Sequence, residues 1–323
     1  MSDRDAFLRA ICASPDDDTP RLVFADWLEE RGTAAEVAWA EFIRLQCEAE
    51  RLPPEDERVG DLEFRAEGLA AAFEREWLGE WAERLVNWSF RRGFLDGVVI
   101  EPRPFLRYGG SLFERHPLLR RVRFVGPDGR GVPDEAVGEL AALPHLARVR
   151  ALDLSGDRTD GPAWARALAR ATHLTGLEEL DLSETSPDGR GALDPGDLRR
   201  LADAPHLGSL RRLRIGTVYS EALGPDAINR IAAAPFARHL EALNLDGHGI
   251  GDEGCRRLAR NPVFQGLRSL SLDRAQRITQ AGVRDLIESP HLDRLTHLNI
   301  AGVQLDVPEL ARLPGLARLE RLG

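Results

Sequence analysis

The chain contains no lysine, because all 43 residues counted as Lys or Arg are arginine. A lysine Schiff base and a lysine general base are therefore excluded. The three cysteines, Cys12, Cys47 and Cys255, are far apart and form no C-x-x-C pair, which argues against a disulfide framework and a zinc site. The chain also lacks P-loop, G-x-S-x-G, G-x-G-x-x-G and H-x-x-x-H motifs. We therefore expect a protein that is not an enzyme and holds no cofactor.

Long apolar segments are also absent. No run of about 18 apolar residues is present, so we expect no membrane span. The first residues carry no apolar stretch of signal-peptide length. These absences predict a cytoplasmic protein.

Charge is unevenly distributed along the chain. The net charge is −10; residues 1–83 hold 22 acidic residues and 9 arginines, and the remainder holds 31 acidic residues and 34 arginines. The difference predicts two regions with different surfaces. The overall negative charge argues against nucleic-acid binding, although the arginine-rich segment from Arg84 to Arg130 keeps that alternative open.

An L-x-x-L-x-L spacing recurs along the second part of the chain. Its clear copies begin at Val149, Leu177, Leu210, Leu240, Leu267 and Leu295, in steps of 28, 33, 30, 27 and 28 residues. Weaker copies begin at Leu95 and Leu119, and a fragment begins at Leu316. The last two apolar positions are two residues apart, so in a strand both point to the same side. The spacing predicts one short strand per repeat, with apolar residues at helical intervals predicting a helical return.

Proline supports the same period. It precedes most of the predicted strands, at Pro144, Pro205, Pro235, Pro262, Pro290 and Pro314. Because proline cannot continue a helix, each return helix should end just before it.

These repeats resemble the ribonuclease-inhibitor-like class of leucine-rich repeats, best in the segment from Leu243 to Gly254. The resemblance covers residues 93–323 in about eight repeats. It implies an α/β horseshoe solenoid with a parallel concave sheet and helices on the convex side. The family usually has Asn or Cys three residues after the last strand Leu. The corresponding positions here are Asp157, Thr185, Val218, His248, Ala275 and Val303, so we expect the usual side-chain ladder to be weak or absent.

The N-terminal region has a different pattern. We expect helices from Asp5 to Ala13, from Thr19 as N-cap to a stop at Gly32, and around residues 40–46. Pro53 and Pro54 break the chain before a long amphipathic stretch. These features predict an all-α module.

Residues 18–32 (DTPRLVFADWLEERG) and 41–46 (EFIRLQ) resemble the bacterial repeat-companion domain, a short domain found at the head of repeat proteins. The resemblance implies a bacterial protein and gives no biochemical role. We expect a helical companion domain over residues 1–52, a linker and capping helix over 53–92, and the repeats over 93–323.

Aromatic residues concentrate between Leu69 and Phe94. The first repeat of a solenoid exposes an apolar end, so this segment either caps the first strand or forms the core of the N-terminal module. The two interpretations are compatible.

Three acidic side chains, Asp26, Glu29 and Glu30, share one predicted helix face. Paired carboxylates can act in acid-base chemistry, but such a set is more often a solvated or arginine-paired face. An enzymatic or regulatory site in this module would bring two or more of Asp18, Asp26, Glu29, Glu30, Glu41 and Arg44 into one cleft. We keep this as the alternative function.

The concave face is the main functional candidate. Residues between and beside the inward leucines should point outward and form a charged, patterned surface suited to a protein partner. The candidate partner-binding residues are Arg121, Arg123, Arg150, Asp153, Glu179, Asp181, Arg212, Arg214, Asn244, Asp246, Ser271, Asp273 and Asn299. We therefore expect a monomeric, non-enzymatic scaffold that binds an unknown protein, with no nucleic-acid or membrane partner.

Overall fold

The computed structural model describes residues 3–127, 129, 131–156, 160–186, 189, 191–218, 223–275, 277–303, 306, 308 and 312–323, without the side chain of Arg31. The chain divides into two compact units, residues 1–121 and 122–323.

The first unit is mostly helical. Its helices are α1 (Asp3–Ala13), α2 (Thr19–Arg31), α3 (Ala34–Arg51), α4 (Arg58–Leu78) and α5 (Pro102–Arg115), with a 3₁₀ helix at Gly79–Glu83. Two antiparallel strands, β1 (Asn87–Arg91) and β2 (Phe94–Ile100), form a hairpin between the 3₁₀ helix and α5. The strand β1 falls in the segment where a linker and a capping helix were predicted.

The start of α2 differs from the prediction by one residue. Asp18, not Thr19, occupies the N-cap position, and its side chain makes no capping bond. Instead the Thr19 N–H donates to Asp17 Oδ1 at 2.8 Å, which lowers the pKa of Asp17. Asp18 is buried and accepts from Arg51 Nε at 2.7 Å. Its burial is therefore explained by pairing with a cation.

The hairpin turn is held by the helical part of the unit. Arg92 and Gly93, with φ of 49° and 84°, form the two-residue loop between β1 and β2, as in a type I′ turn. Trp39 Nε1 donates to the Gly93 carbonyl at 2.6 Å, and Gln46 Oε1 accepts from the Gly93 N–H at 2.7 Å. A Cβ at this position would lie 2.2 Å from Ile43 Cγ1. Only glycine satisfies both the backbone angle and the space.

Aromatic packing surrounds this turn. The Phe24 and Phe94 rings stack at 6.1 Å, and Trp39 meets Phe94 edge-on at 5.6 Å. A second cluster centres on Trp77, whose ring lies 4.9 Å from Phe42 and 6.0 Å from Phe90. The aromatic segment from Leu69 to Phe94 thus contributes to the core of this unit, as one interpretation predicted, whereas capping of the first repeat stays a prediction.

The second unit alternates strands with helices. Strand β3 (Arg121–Phe124) begins at the last residue of the first unit. The strands that follow are β4 (Ala151–Asp153), β5 (Glu179–Asp181), β6 (Arg212–Arg214), β7 (Ala242–Asn244), β8 (Ser269–Ser271), β9 (His297–Asn299) and β10 (Arg321–Leu322). The helices are α6 (Asp134–Ala141), α7 (Gly161–Leu168), α8 (Pro195–Ala202), α9 (Asp226–Ala232), α10 (Gly251–Arg260) and α11 (Gln280–Ile287). Short 3₁₀ helices span Pro144–Arg148, Pro205–Leu207, Ala237–His239, Pro262–Phe264 and Pro314–Arg318.

The strands β4 to β10 form a parallel sheet in chain order. The central leucines pair in register across neighbouring strands, at Leu152, Leu180, Leu213, Leu243, Leu270, Leu298 and Leu322. All of them except Leu322 are 2% exposed or less. The L-x-x-L-x-L spacing therefore predicted both the strands and their buried side.

The prolines mark the helix ends. The helices α6, α8, α9, α10 and α11 each end two or three residues before a proline of the repeat. Three of these prolines, Pro144, Pro205 and Pro262, begin a 3₁₀ helix, as does Pro314. Proline thus separates the return helix from the turn that leads into the next strand.

One of the positions lacking the family's usual Asn is filled by a residue with the same role. His248 is fully buried, and its Nε2 lies 2.8 Å from the carbonyl oxygen of Ile215 in the preceding repeat. The imidazole therefore bonds loop backbone as a ladder residue would. Asp157, another position of the ladder, lies outside the described residues.

Polar side chains also connect successive helices. His206 Nε2 lies 2.9 Å from the Leu168 carbonyl oxygen, and Ser289 Oγ donates to the Ala259 carbonyl at 2.5 Å. Both carbonyls belong to the last turn of the preceding helix, where no intrahelical donor is available. The repeat phase thus accounts for His206 without a metal.

Cys255 is a core residue of α10. Its side chain is fully buried, and burial raises the pKa of its thiol to about 12. A neutral, buried thiol is not a nucleophile at physiological pH.

Candidate functional site

The outward face of the second unit is the side of its strands opposite to the buried central leucines. Side chains alternate along a strand, so the residues directly before and after each central leucine point away from the core. The structure places on this face Arg123, Asp153, Glu179, Asp181, Arg212, Arg214, Asn244, Ser271 and Asn299, all half-buried or exposed. Asp246 and Asp273 lie two residues beyond β7 and β8, and Arg150 directly precedes β4. Arg121 belongs to the first unit and is exposed.

Arginines and carboxylates pair across the strands β3 to β6. Arg123 Nε lies 3.6 Å from Asp153 Oδ2, and Arg214 Nη1 lies 3.5 Å from Asp181 Oδ2. Arg212 donates to Glu179. The alternation of charge that the sequence shows is therefore a set of cross-strand ion pairs. Each contributes little to stability because the side chains remain partly exposed, but together they fix the order of charge along the surface.

Arg150 contributes differently. Its Nη1 donates to the Gly176 carbonyl at 2.8 Å and lies 3.9 Å from Glu178 Oε1. The guanidinium is therefore directed to the turn before the next strand, and its position on the binding surface stays a prediction.

The strands β7 to β9 carry a hydrogen-bond network instead of ion pairs. Asn299 Nδ2 donates to Ser271 Oγ at 3.0 Å, and Ser271 Oγ donates to Asp246 Oδ1 at 2.6 Å. Asn244 Nδ2 donates to Asp246 Oδ2 at 2.6 Å, and the Asp273 N–H donates to Asp246 Oδ1 at 2.7 Å. Asp246 is the common acceptor. Its carboxylate orders polar groups of β7 and β8 directly, and Ser271 extends the network to Asn299 of β9.

A hollow of about 610 Å³ lies over this part of the face. It lies over the strand positions Leu243, Leu270 and Leu298, whose side chains point into the core, and its polar lining includes Arg214 and Asn299. The volume falls in the range of ligand and peptide pockets. The hollow brings together Asp181, Arg214, Asn244, Ser271 and Asn299 from the predicted set. Its lining does not include Asp246, Asp273 or the remaining, more N-terminal members.

Two residues of the hollow, His297 and Arg321, were missed by the sequence argument. His297 directly precedes the central leucine of β9, and Thr296 Oγ1 lies 2.8 Å from its Nδ1. Arg321 lies in β10, which follows the fragment repeat at Leu316. The strand alternation could have identified both residues, because the residue before each central leucine faces outward, like the residue after it.

Several outward residues have a local role that the sequence argument also missed. Asp153 Oδ1 accepts from the Ser155 N–H at 2.9 Å, and Asp181 Oδ1 accepts from the Ser183 N–H at 2.9 Å. Asn244 repeats this bond with the Asp246 N–H at 3.1 Å. Asp and Asn commonly bond backbone two residues on. These side chains therefore end their own strands as well as forming the surface.

The N-terminal candidates do not meet in one cleft. Arg44 donates to Asp26 at 2.7 Å and to Glu29 at 2.6 Å, on an exposed helix surface. The arginine that the structure pairs with Asp26 and Glu29 is Arg44. Glu41 is bound to Arg65, and Asp18 is buried elsewhere in the unit. Arginine therefore pairs with Asp26 and Glu29, in line with the arginine-paired interpretation, and with Glu41.

Comparisons with known proteins identify one repeat. Residues 236–259 match the model of a family described as Leucine Rich repeat. No curated protein matches the chain. Among solved structures, a Bacteroides fragilis protein has 14% identity and a TM-score of 0.43, covering 77% of this chain and 85% of its own. Rad7, from the yeast Rad7–Elc1 complex, has 13% identity and a TM-score of 0.29, covering 93% and 87%.

No helix in the described part of the chain combines the length and the apolar character needed to cross a membrane.

The matched segment contains β7 and most of α10, and its strand is in register with the strands on either side. Together the match and the register support a leucine-rich-repeat protein.

Proposed function

We propose that the chain is a non-enzymatic scaffold that binds a protein partner on the outward face of the second unit, taken as the concave side of a horseshoe. The observation that carries the proposal is the hollow over β7 to β9, whose polar residues are already ordered: Asn244 and Ser271 donate to the neighbouring Asp246, and Asn299 donates to Ser271. Groups that are ordered before binding lose little conformational freedom when a partner docks. Repeat solenoids commonly bind through such an extended face, to which each repeat adds one strand.

The predicted outward residues form the binding site, and the ion pairs across β3 to β6 determine which partner is bound. Charge order selects partners more than it adds affinity. The proposal also takes the first unit as a repeat-companion module, and the protein as a bacterial, cytoplasmic monomer without cofactor, nucleic-acid or membrane ligand. The alternative of a site in the N-terminal helices is not adopted, because Asp26 and Glu29 are both held by the exposed Arg44.

Site-specific photo-crosslinking tests the location of the site. We would place a photoreactive amino acid at Arg214, on the outward face, and at Arg230, exposed on α9 of the same repeat. In cells of the source organism, a partner crosslinked from position 214 and not from 230 is expected. Crosslinking of the same protein from 230 alone would place the partner on the helical side and overturn the proposal.

Exchanging the charges on β5 and β6 tests whether binding of the partner depends on the order of charges along this surface. Glu179→Arg and Asp181→Arg combined with Arg212→Glu and Arg214→Glu retain the cross-strand pairs with the signs exchanged. Because the pairs are kept, the fold should be retained, whereas affinity for the crosslinked partner should fall about tenfold or more. Unchanged affinity of a folded swap variant would show that these strands do not contact the partner.

A further inference from the structure

A second groove, in the first unit, lies between α3, α4 and the strand β1. Its volume is about 630 Å³. Its base is formed by small and apolar side chains, among them Ala49, Leu62, Ala66 and Phe90. Of these, Leu62 and Ala66 are nearly fully buried, so the base is a continuation of the core of this unit. No part of the proposed partner-binding surface contributes to the groove.

The groove follows the edge of β1 rather than one of its faces. Residues from 88 to 92 line it consecutively, although neighbouring side chains in a strand point to opposite sides. Among the described strands β1 is paired with β2 only, so its other edge is open. The Trp88 N–H donates to Asn87 Oδ1 at 2.7 Å. An open edge offers unpaired backbone groups to another extended chain.

One wall of the groove is acidic. Glu63 and Glu67 lie one helical turn apart on α4, and both are exposed. Within the described residues neither carboxylate has an ion-pair or hydrogen-bond partner. The other acids of the groove are engaged, since Arg91 donates to Glu50 and Trp88 Nε1 donates to Glu74 at 2.9 Å. Residues 1–83, with 22 acidic residues against 9 arginines, extend this negative potential around the groove.

We propose that this groove binds a basic, extended peptide segment of a partner protein, which adds as a strand to the open edge of β1. Backbone hydrogen bonds to β1 supply affinity, apolar side chains fill the base, and arginine or lysine side chains pair with Glu63 and Glu67. The five residues of β1 span about 17 Å, which accommodates a segment of about five or six residues.

The test uses a fluorescein-labelled hexapeptide of alternating valine and arginine, titrated into the full chain by anisotropy at low salt. Three comparisons define the mode of binding. The same peptide with glutamate in place of arginine should not bind. The peptide N-methylated at alternate residues should bind at least tenfold more weakly, because it cannot form the ladder. The variant Glu63→Gln/Glu67→Gln should bind the parent peptide about fivefold more weakly, as expected for two exposed ion pairs.

A matched control variant is Glu30→Gln/Glu76→Gln, which removes two exposed carboxylates of the same unit that do not line the groove. It should retain the affinity of the parent chain, and circular dichroism checks that both variants are folded. No binding of the arginine peptide at millimolar concentration would overturn the proposal. Equal binding of the N-methylated peptide would rule out strand addition, and equal weakening by both variants would show attraction to the general charge only. Self-association of the chain that competes with the peptide would assign the groove to a second copy.

Discussion

The two units of this chain are stabilised in different ways. The second unit repeats one contact: a buried leucine pairs in register with the leucine of the next strand, from Leu152 to Leu298. The first unit depends on contacts that occur once and join distant positions, such as Trp39 with Gly93 and Asp18 with Arg92. A repeated contact spreads stability evenly along the chain. A contact that occurs only once concentrates stability at one place, so a single substitution there should have the larger effect.

The strongest test of this difference is Gly93→Ala. The substitution places a Cβ 2.2 Å from Ile43 Cγ1 and puts a side chain on a residue with φ of 84°. We expect the free energy of unfolding of the first unit to fall by roughly 3 to 5 kcal/mol, because the turn must move away from α3. Urea denaturation followed by near-ultraviolet circular dichroism measures the loss.

The control for this test is Gly79→Ala. Gly79 also has positive φ, 60°, but a Cβ there meets nothing within 4 Å. With ψ of −132°, it should cost roughly 1 to 3 kcal/mol, the conformational penalty alone. Equal losses of stability at Gly79 and Gly93 would show that the close contact between the turn and α3 does not add to the effect of Gly93→Ala.

In the repeats, Leu213→Ala should have a smaller and more local effect. Leu213 is 1% exposed and lies between the strands β5 and β7. Truncation should cost about 3 kcal/mol through lost burial and the resulting cavity. Hydrogen exchange should accelerate most in β6 and in the two strands beside it.

The matched control is Leu322→Ala, at the equivalent position of β10. Leu322 is 42% exposed, so its truncation should change stability by less than about 1 kcal/mol. Uniform acceleration of exchange over the whole unit by Leu213→Ala would contradict a repeat-by-repeat distribution of stability.

The same difference explains what could be predicted from the sequence. Strand positions and the buried leucines follow from a period visible in one chain, because each repeat restates the same steric requirement. In the hairpin β1–β2, strand β2 contains the weaker copy at Leu95, whereas β1 and the turn have no such repetition. Its turn, Arg92-Gly93, is not a usual Asn-Gly pair, and the left-handed conformation of Arg92 is set by tertiary contacts such as its 2.9 Å bond to the Asp16 carbonyl. Such contacts cannot be derived from local pattern.

For the site, the sequence predicted which side chains face outward and left open how they interact. Alternation alone places Asp181 and Arg214 on the same side. The 3.5 Å approach between them depends on the register of β5 against β6. The shared acceptor role of Asp246 depends likewise on Ser271 from the next strand. The composition of the surface was therefore predictable, whereas its hydrogen-bond network required the register.

Substitution of His248, at the ladder position, should cause a loss of stability of intermediate size. His248→Ala removes the side chain that bonds the Ile215 carbonyl and leaves that oxygen without this partner in a buried turn. We expect a loss of about 2 kcal/mol. His248→Asn, which restores the residue type usual in the resembling family, should recover much of this stability. Chemical denaturation of the two variants decides the point, and an Asn variant as unstable as the Ala variant would show that packing of the imidazole matters more than its hydrogen bond.

The smallest expected effect concerns pH and belongs to the first unit. Burial, with a further contribution from Arg115, lowers the pKa of His116 from 6.5 to about 4. Between these two values the unfolded chain binds a proton that the folded chain does not, so stability must fall as the pH decreases from 6.5 toward 4 and is fully present above 6.5. From pH 7 to pH 5 the contribution should be about 1 to 2 kcal/mol. Because carboxylates titrate in the same range, the measurement is the difference between the parent chain and His116→Gln in urea at each pH. The variant should lose less stability on acidification than the parent, and parallel curves would mean that His116 is protonated as easily in the folded chain as in the unfolded one.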